Sequence, residues 1–157
     1  MGKTKYGTFE GEIYWARVFP GNIDDSEYHK ATEGQYNCMF VPKDEEELQK
    51  MLKLGFPQKS MGNPMVREIE AAGGRKGMKL KRPNVHAKIE DFGGAPVVTH
   101  GKTDKAWDMD VDGELGNGTK VAVQISIYGE GSTASVRLEK VGVLELVQFE
   151  ASGAIGW

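Results

Sequence analysis

Residues 120–128 read KVAVQISIY. Val121, Val123, Ile125 and Ile127 alternate with Ala122, Gln124 and Ser126. That two-residue period belongs to a strand with one face on a core. Gly129-Glu130-Gly131-Ser132 follows as a hairpin connection. Residues 134–147 (ASVRLEKVGVLELV) then return as a second strand, with Val136 and Leu138 on one face and Gly142 at a bend. Two long neighbouring strands are the strongest signal in the chain, and they make the fold mainly β.

Three more strands read the same way. In residues 76–82 (KGMKLKR), Met78 and Leu80 point one way and Gly77, Lys79 and Lys81 the other, with Pro83 as terminator. In residues 35–41, Tyr36, Cys38 and Phe40 share a face. In residues 8–19 (TFEGEIYWARVF), Phe9, Gly11, Ile13 and Trp15 share a face opposite Glu10 and Glu12. The alternation blurs at Ala16-Arg17-Val18, as in a strand that bends. Residues 97–99 form a short further strand.

One helix stands out at residues 44–54. Asp44 is placed to cap it, and Glu47 follows at capping-box spacing. Leu48, Met51 and Leu52 make its apolar stripe, and Gly55 stops it. A shorter helix is expected at about 64–72, ending at Gly73-Gly74. Residues 22–34 and much of 84–105 read as long loops. These elements predict an OB-fold-like antiparallel five-stranded barrel with one clear α-helix and long loops. Residues 1–150 form the single domain and 151–157 a short C-terminal tail.

The chain has 157 residues, 39% hydrophobic and 27% charged. That balance is globular, and its length buries a core without staples. A single cysteine, Cys38, excludes a disulfide framework and a cysteine-built zinc site. The start of the chain shows no signal peptide, and no segment has the roughly 20 apolar residues of a membrane helix.

Net charge is −3, but it is unevenly spread. Residues 75–105 carry eight basic and three acidic side chains, a local +5. Such asymmetry is how an acidic protein can bind nucleic acid. Lys79 and Lys81, on one face of a strand, repeat charge at about 7 Å. Lysines on an edge strand also serve simply to prevent aggregation, so the cluster alone supports two readings.

Nonspecific single-strand binding adds aromatic rings to such charges. Tyr14, Trp15, Tyr36, Phe40, Phe92, Trp107 and Tyr128 are available. Tyr14 and Tyr128 oppose the apolar faces of their strands, and Trp107 lies in a polar loop beside Lys105. These three are the expected stacking residues; Trp15 and Tyr36 share faces with apolar residues. Asp108–Asp112 opens like a calcium loop, but Thr119 stands where its closing Glu belongs, so an acidic turn is expected. The segment GELGNGTK (113–120) reverses the Lys-Thr order of a phosphate-binding loop and leads into a strand, so it reads as a tight turn. His29, His86 and His100 lie apart, without partners at triad or metal spacing. No catalytic constellation, cofactor motif or metal site is expected.

Five runs carry a resemblance: GEIYWARVF (11–19), GQYNCMFVPK (34–43), RKGMKLKRP (75–83), GNGTKVAVQISIY (116–128) and VRLEKVGVLEL (136–146). Together, in order, they resemble the single-stranded DNA-binding proteins of tailed bacteriophages. The resemblance implies an OB-fold that coats single-stranded DNA during phage DNA replication, recombination and repair, in the cytoplasm of the infected bacterial host. It implies a homodimer, and an acidic C-terminal tail that contacts replication proteins. Residues 151–157 (ASGAIGW) carry no acid, so either the tail is truncated here or the protein lacks it, and contact with replication proteins would run through a tail not present in these residues. The helix at 44–54 also falls between the second and third strands, whereas an OB-fold commonly carries its helix after the third.

The expected DNA-binding residues are therefore Lys76, Lys79, Lys81, Arg82, Arg17, Lys105, Trp107, Tyr14 and Tyr128. The alternatives are a β-barrel protein-interaction module with no nucleic-acid binding, and a calcium-dependent nuclease built on Asp108–Asp112.

Overall fold

A computed structural model of the chain describes residues 4–19, 23, 34–60, 63–84, 93–129 and 134–147. The expected loop at 22–34, most of the connection 129–132, His29, His86, Phe92 and the tail 151–157 lie outside the described residues. In chain order the elements are β1 (Lys5–Arg17), β2 (Gln35–Pro42), α1 (Glu45–Leu54), β3 (Lys59–Ser60), β4 (Asn63–Pro64), β5 (Val66–Ile69), β6 (Arg75–Pro83), β7 (Val97–His100), α2 (Met109–Asp112), β8 (Thr119–Tyr128) and β9 (Ser135–Glu145). The strands expected around 8–19, 35–41, 76–82, 97–99, 120–128 and 134–147 are all present.

β1 is the spine. It pairs antiparallel with β8 from Lys5↔Ile127 to Ile13↔Thr119, and with β2 from Gly11↔Pro42 to Arg17↔Asn37. The main sheet runs β5-β6-β2-β1-β8-β9-β7, with β3 and β4 as a separate pair. The expected five-stranded barrel is corrected by this order. Its five long strands exist, but β5 and β7 extend the sheet to seven, and among the described residues no ladder closes it. β7 joins β9 in parallel, an addition to the otherwise antiparallel sheet.

Side chains directly opposite across a ladder share a face. On the inner face, Ile13, Phe40, Met78, Leu80, Val121, Val123, Ile125 and Leu138 are all fully buried. Leu48 and Met51 of α1 complete this core. Asp44 caps α1 as expected, accepting from the Glu47 N–H at 2.8 Å. Glu47 departs from the capping box: its Oε2 accepts from the Glu10 N–H at 2.7 Å, which fastens the helix to β1.

The helix expected at 64–72 is corrected as well. Val66–Ile69 pair with Arg75–Met78, leaving a single 3₁₀ turn at Glu70–Ala72. Gly73 and Gly74 both take positive φ and make the tight return between β5 and β6. Ladder pairing along β6 outweighed the weak local helix preference of this segment.

Candidate nucleic-acid interface

The outer face of β6, β2 and β1 assembles in cross-strand rows. Lys79 faces Met39, which faces Tyr14. Lys81 faces Asn37, which faces Arg17. Lys79, Lys81 and Arg17 are all exposed. Strand spacing puts the Lys81 and Arg17 backbones roughly 10 Å apart, on either side of Asn37. Three cations thus flank one narrow strip of sheet.

Between the two rows the ladder breaks. The register shifts between Tyr14 and Arg17, so Trp15 and Ala16 form a bulge. Trp15 takes φ +52, the one non-glycine among the described residues with positive φ. A left-handed conformation costs roughly 1–2 kcal/mol for a residue with a Cβ. The Trp15 N–H donates to Asn117 Oδ1 at 2.7 Å, which holds the bulge in place. The indole is left 54% exposed, its ring 6.1 Å from that of Tyr14. Strained backbone that displays a side chain to solvent is characteristic of functional surfaces.

The bulge and the packing beside it reverse the expectation for β1. Strict alternation hides Trp15 and exposes Tyr14; the structure does the opposite. Tyr14 is 6% exposed, packed with Val41 and Ile69 in a small outer-face cluster. Its hydroxyl donates to Glu12 Oε1 at 2.8 Å, and Arg75 ion-pairs the same carboxylate. Burial, with the Glu12 charge behind it, pushes the Tyr14 phenol above its ordinary value. Tyr14 supports the surface rather than presenting a stacking face. The blurred alternation at 16–18 was the sequence signal for the bulge.

The remaining expected residues scatter. Arg82 alternates inward with Met78 and Leu80 and is 9% exposed. Its Nε donates to Gly94 O at 2.8 Å, its Nη2 to Gly93 O at 3.1 Å, and its Nη1 to Glu139 Oε1 at 2.7 Å. Its guanidinium serves the interior, which corrects its expected role as a phosphate contact. Lys76 is exposed but alternates onto the opposite face of β6 from Lys79 and Lys81.

Lys105 and Trp107 follow β7, the last strand in the sheet order. Lys105 is exposed. Trp107 is half-buried, donates through Nε1 to Gly113 O at 2.8 Å, and packs its ring 4.6 Å from that of His100. His100 in turn meets Asp112 Oδ2 at 3.0 Å, a partner that sequence spacing did not reveal. Backbone hydrogen bonding from Asp108, aided by His100, holds the Asp112 carboxyl below its ordinary range. The acidic turn caps its own short helix: Asp108 Oδ1 accepts from the Asp110 N–H at 2.8 Å. Tyr128 is exposed as expected, but one residue beyond the Lys5↔Ile127 pair, at the other end of β1 from Trp15.

No family model and no curated protein matches the chain. Solved structures do. gp2.5, a single-stranded DNA-binding protein encoded by bacteriophage T7, superposes with a TM-score of 0.61 at 18% identity, covering 96% of this chain and 91% of that one. The fold is that of phage single-stranded DNA-binding proteins. The single-stranded DNA-binding protein from bacteriophage Enc34 gives 0.55 at 11% identity, over 96% of this chain and 87% of its own. Its C-terminally truncated form gives 0.51 at 10%, over 91% and 86%. The phage single-stranded DNA-binding fold therefore spans nearly the whole chain, with seven strands in its main sheet here. No helix among the described residues is long and apolar enough to cross a membrane.

Proposed function

We propose that this protein binds single-stranded DNA without sequence preference through the outer face of β1, β2 and β6. The observation that carries the reading is the Trp15 bulge, an exposed indole held out between the rows that bear Lys79, Lys81 and Arg17. Cations on a strip of sheet neutralise phosphates, and a neighbouring ring stacks a base of any identity. The likeness in fold to two phage single-stranded DNA-binding proteins supports the same reading. Lys76 and Lys105 add long-range attraction rather than direct contact. The role is non-enzymatic: a homodimer coats and protects exposed strands during phage DNA replication, recombination and repair in the cytoplasm of the infected cell.

Tryptophan fluorescence titrated with oligo-dT at several salt concentrations tests this. Quenching that weakens steeply with salt is expected, because released counterions drive phosphate binding. The absence of any quenching or mobility shift at low salt would leave a protein-interaction module as the better reading.

A further inference from the structure

The outer face of the sheet continues past the basic strip, and at its far end two large aromatic side chains stand in solvent. Tyr6 is 57% exposed and Tyr128 is 58% exposed. Tyr6 of β1 lies directly opposite Ser126 of β8, and Tyr128 is two residues further along β8 on the same face. That diagonal relation sets the two rings roughly 7–8 Å apart at their roots. Their neighbours are small: Ser126 lies opposite Tyr6, and Ser135 opposite Tyr128. Among the described residues, the side chains directly opposite both rings are thus serines.

Exposed tyrosines on a sheet surface are common singly. Two on one face, over a floor of serines, make a flat π-surface with phenol groups at the rim. The rows beside them are polar and cationic. Thr8, Gln124 and Lys140 form the adjacent row, and Arg137 extends the row of Tyr6 and Ser126.

A cleft of about 300 Å³ adjoins them, lined among others by Thr8, Gln124, Lys140 and Thr103. Its outer wall is the turn after β7, strapped across the sheet. Gly101 N–H donates to Val143 O at 2.8 Å, and Lys102 reaches over to Glu10 at 3.0 Å. Gly142 beneath the strap has no room for a side chain, since a Cβ would sit 2.3 Å from Gly101 O.

We infer that Tyr6 and Tyr128 form a second stacking platform for single-stranded DNA, separate from the Trp15 bulge, with Lys140 as its phosphate partner. This rests on the function proposed above. Tyr6 and Trp15 are separated by nine residues of β1, roughly 30 Å of strand. A short oligonucleotide occupies one platform at a time; a longer one engages both. The footprint on DNA is then set by the length of β1, and affinity rises in a step once the oligonucleotide spans it.

The test compares oligo-dT of about 4 and about 12 nucleotides, both within the range of site sizes of OB-folds, with wild type, Y6A/Y128A and Y6F/Y128F, each checked for an unchanged thermal transition. The expected result is that Y6A/Y128A binds the short oligonucleotide through Trp15 within about twofold of wild type. It should lose roughly tenfold or more on the long one, in keeping with base–aromatic stacking. Y6F/Y128F keeps its rings and should restore long-oligonucleotide binding. An equal loss at both lengths, no loss at either, or failure of the phenylalanine variant to restore binding would overturn the second platform while leaving the Trp15 site standing. Wild type that binds neither oligonucleotide would overturn the function itself.

Discussion

Arg82 of β6 and Glu139 of β9 meet at 2.7 Å, joining two strands that are not neighbours in the sheet. Both side chains are largely buried, and Arg137 binds the same Glu139 oxygen at 2.7 Å. The pair staples the curled sheet where a closed barrel would have a ladder. Breaking one side of a buried ion pair leaves a charge uncompensated and costs about 3–5 kcal/mol. R82A should fall at the lower end, because Arg137 still neutralises Glu139. Chemical denaturation should show this loss, while DNA affinity per folded molecule stays near wild type. Lysine cannot reproduce the forked contacts, so R82K should rescue little.

The lysines of β6 should separate by face. K79E/K81E should weaken binding to all single-stranded sequences alike and flatten the salt dependence by roughly 1.4 in log–log slope, two contacts at about 0.7 each. K76E, on the opposite face, should change the slope far less. Isothermal titrations at three or more salt concentrations measure both.

Trp15 should show opposite effects on stability and binding. Glycine adopts a positive φ without penalty. W15G should therefore raise unfolding stability by about 1 kcal/mol, while it lowers oligo-dT affinity about tenfold or more. A variant less stable than wild type would mean that the indole is packed more firmly than its exposure indicates.

Cys38 gives a pH signature. Burial pushes its thiol up to about 12, from an ordinary value of 9.0. The unfolded chain therefore ionises first as pH rises. The contribution is complete below about pH 9 and is progressively lost towards pH 12. Tyr14 and Tyr36, raised by the same cause, act in the same direction. Denaturation curves from pH 8 to 11 should slope downward, less steeply for C38A. At pH 8 the native thiol should alkylate only as fast as the protein opens.

Gly142 should be intolerant of any side chain. G142A drives a methyl against Gly101 O. Either the strap lifts or the sheet yields, at a cost of about 1–3 kcal/mol. Limited proteolysis should then cut near Lys102, where wild type resists.

The long strands were legible because their alternation is strict: Val121 to Ile127 allows one register and one buried face. The faces of Lys79 and Lys81 followed from the same rule. What escaped is what breaks the period. The bulge at Trp15-Ala16 turned Trp15 out to solvent, while Tyr14, still on the outer face opposite Met39, was buried by Val41 and Ile69 from other strands, a packing no local pattern announces. Arg82 was misread because charge suggests a surface, whereas its partner Glu139 lies 57 residues away. The strand at Val66–Ile69 depended on β6, and the partnership of His100 with Asp112 on a turn that only the folded chain brings back.

The place of β1 at the centre of the sheet has a consequence in time. Of the described strands it leaves the ribosome before the others, yet its partner over nine successive positions, β8, begins at Thr119. At a synthesis rate of about 5–20 residues per second, β1 waits roughly five to twenty seconds for that partner. Until then its backbone hydrogen-bonding edge is open to strands of other chains. Pairing with β2 shields only its later half, so newly made chains are most prone to misassociation through residues 5–10. Crowding during rapid synthesis, rather than weakness of the finished fold, should set the ceiling on soluble yield.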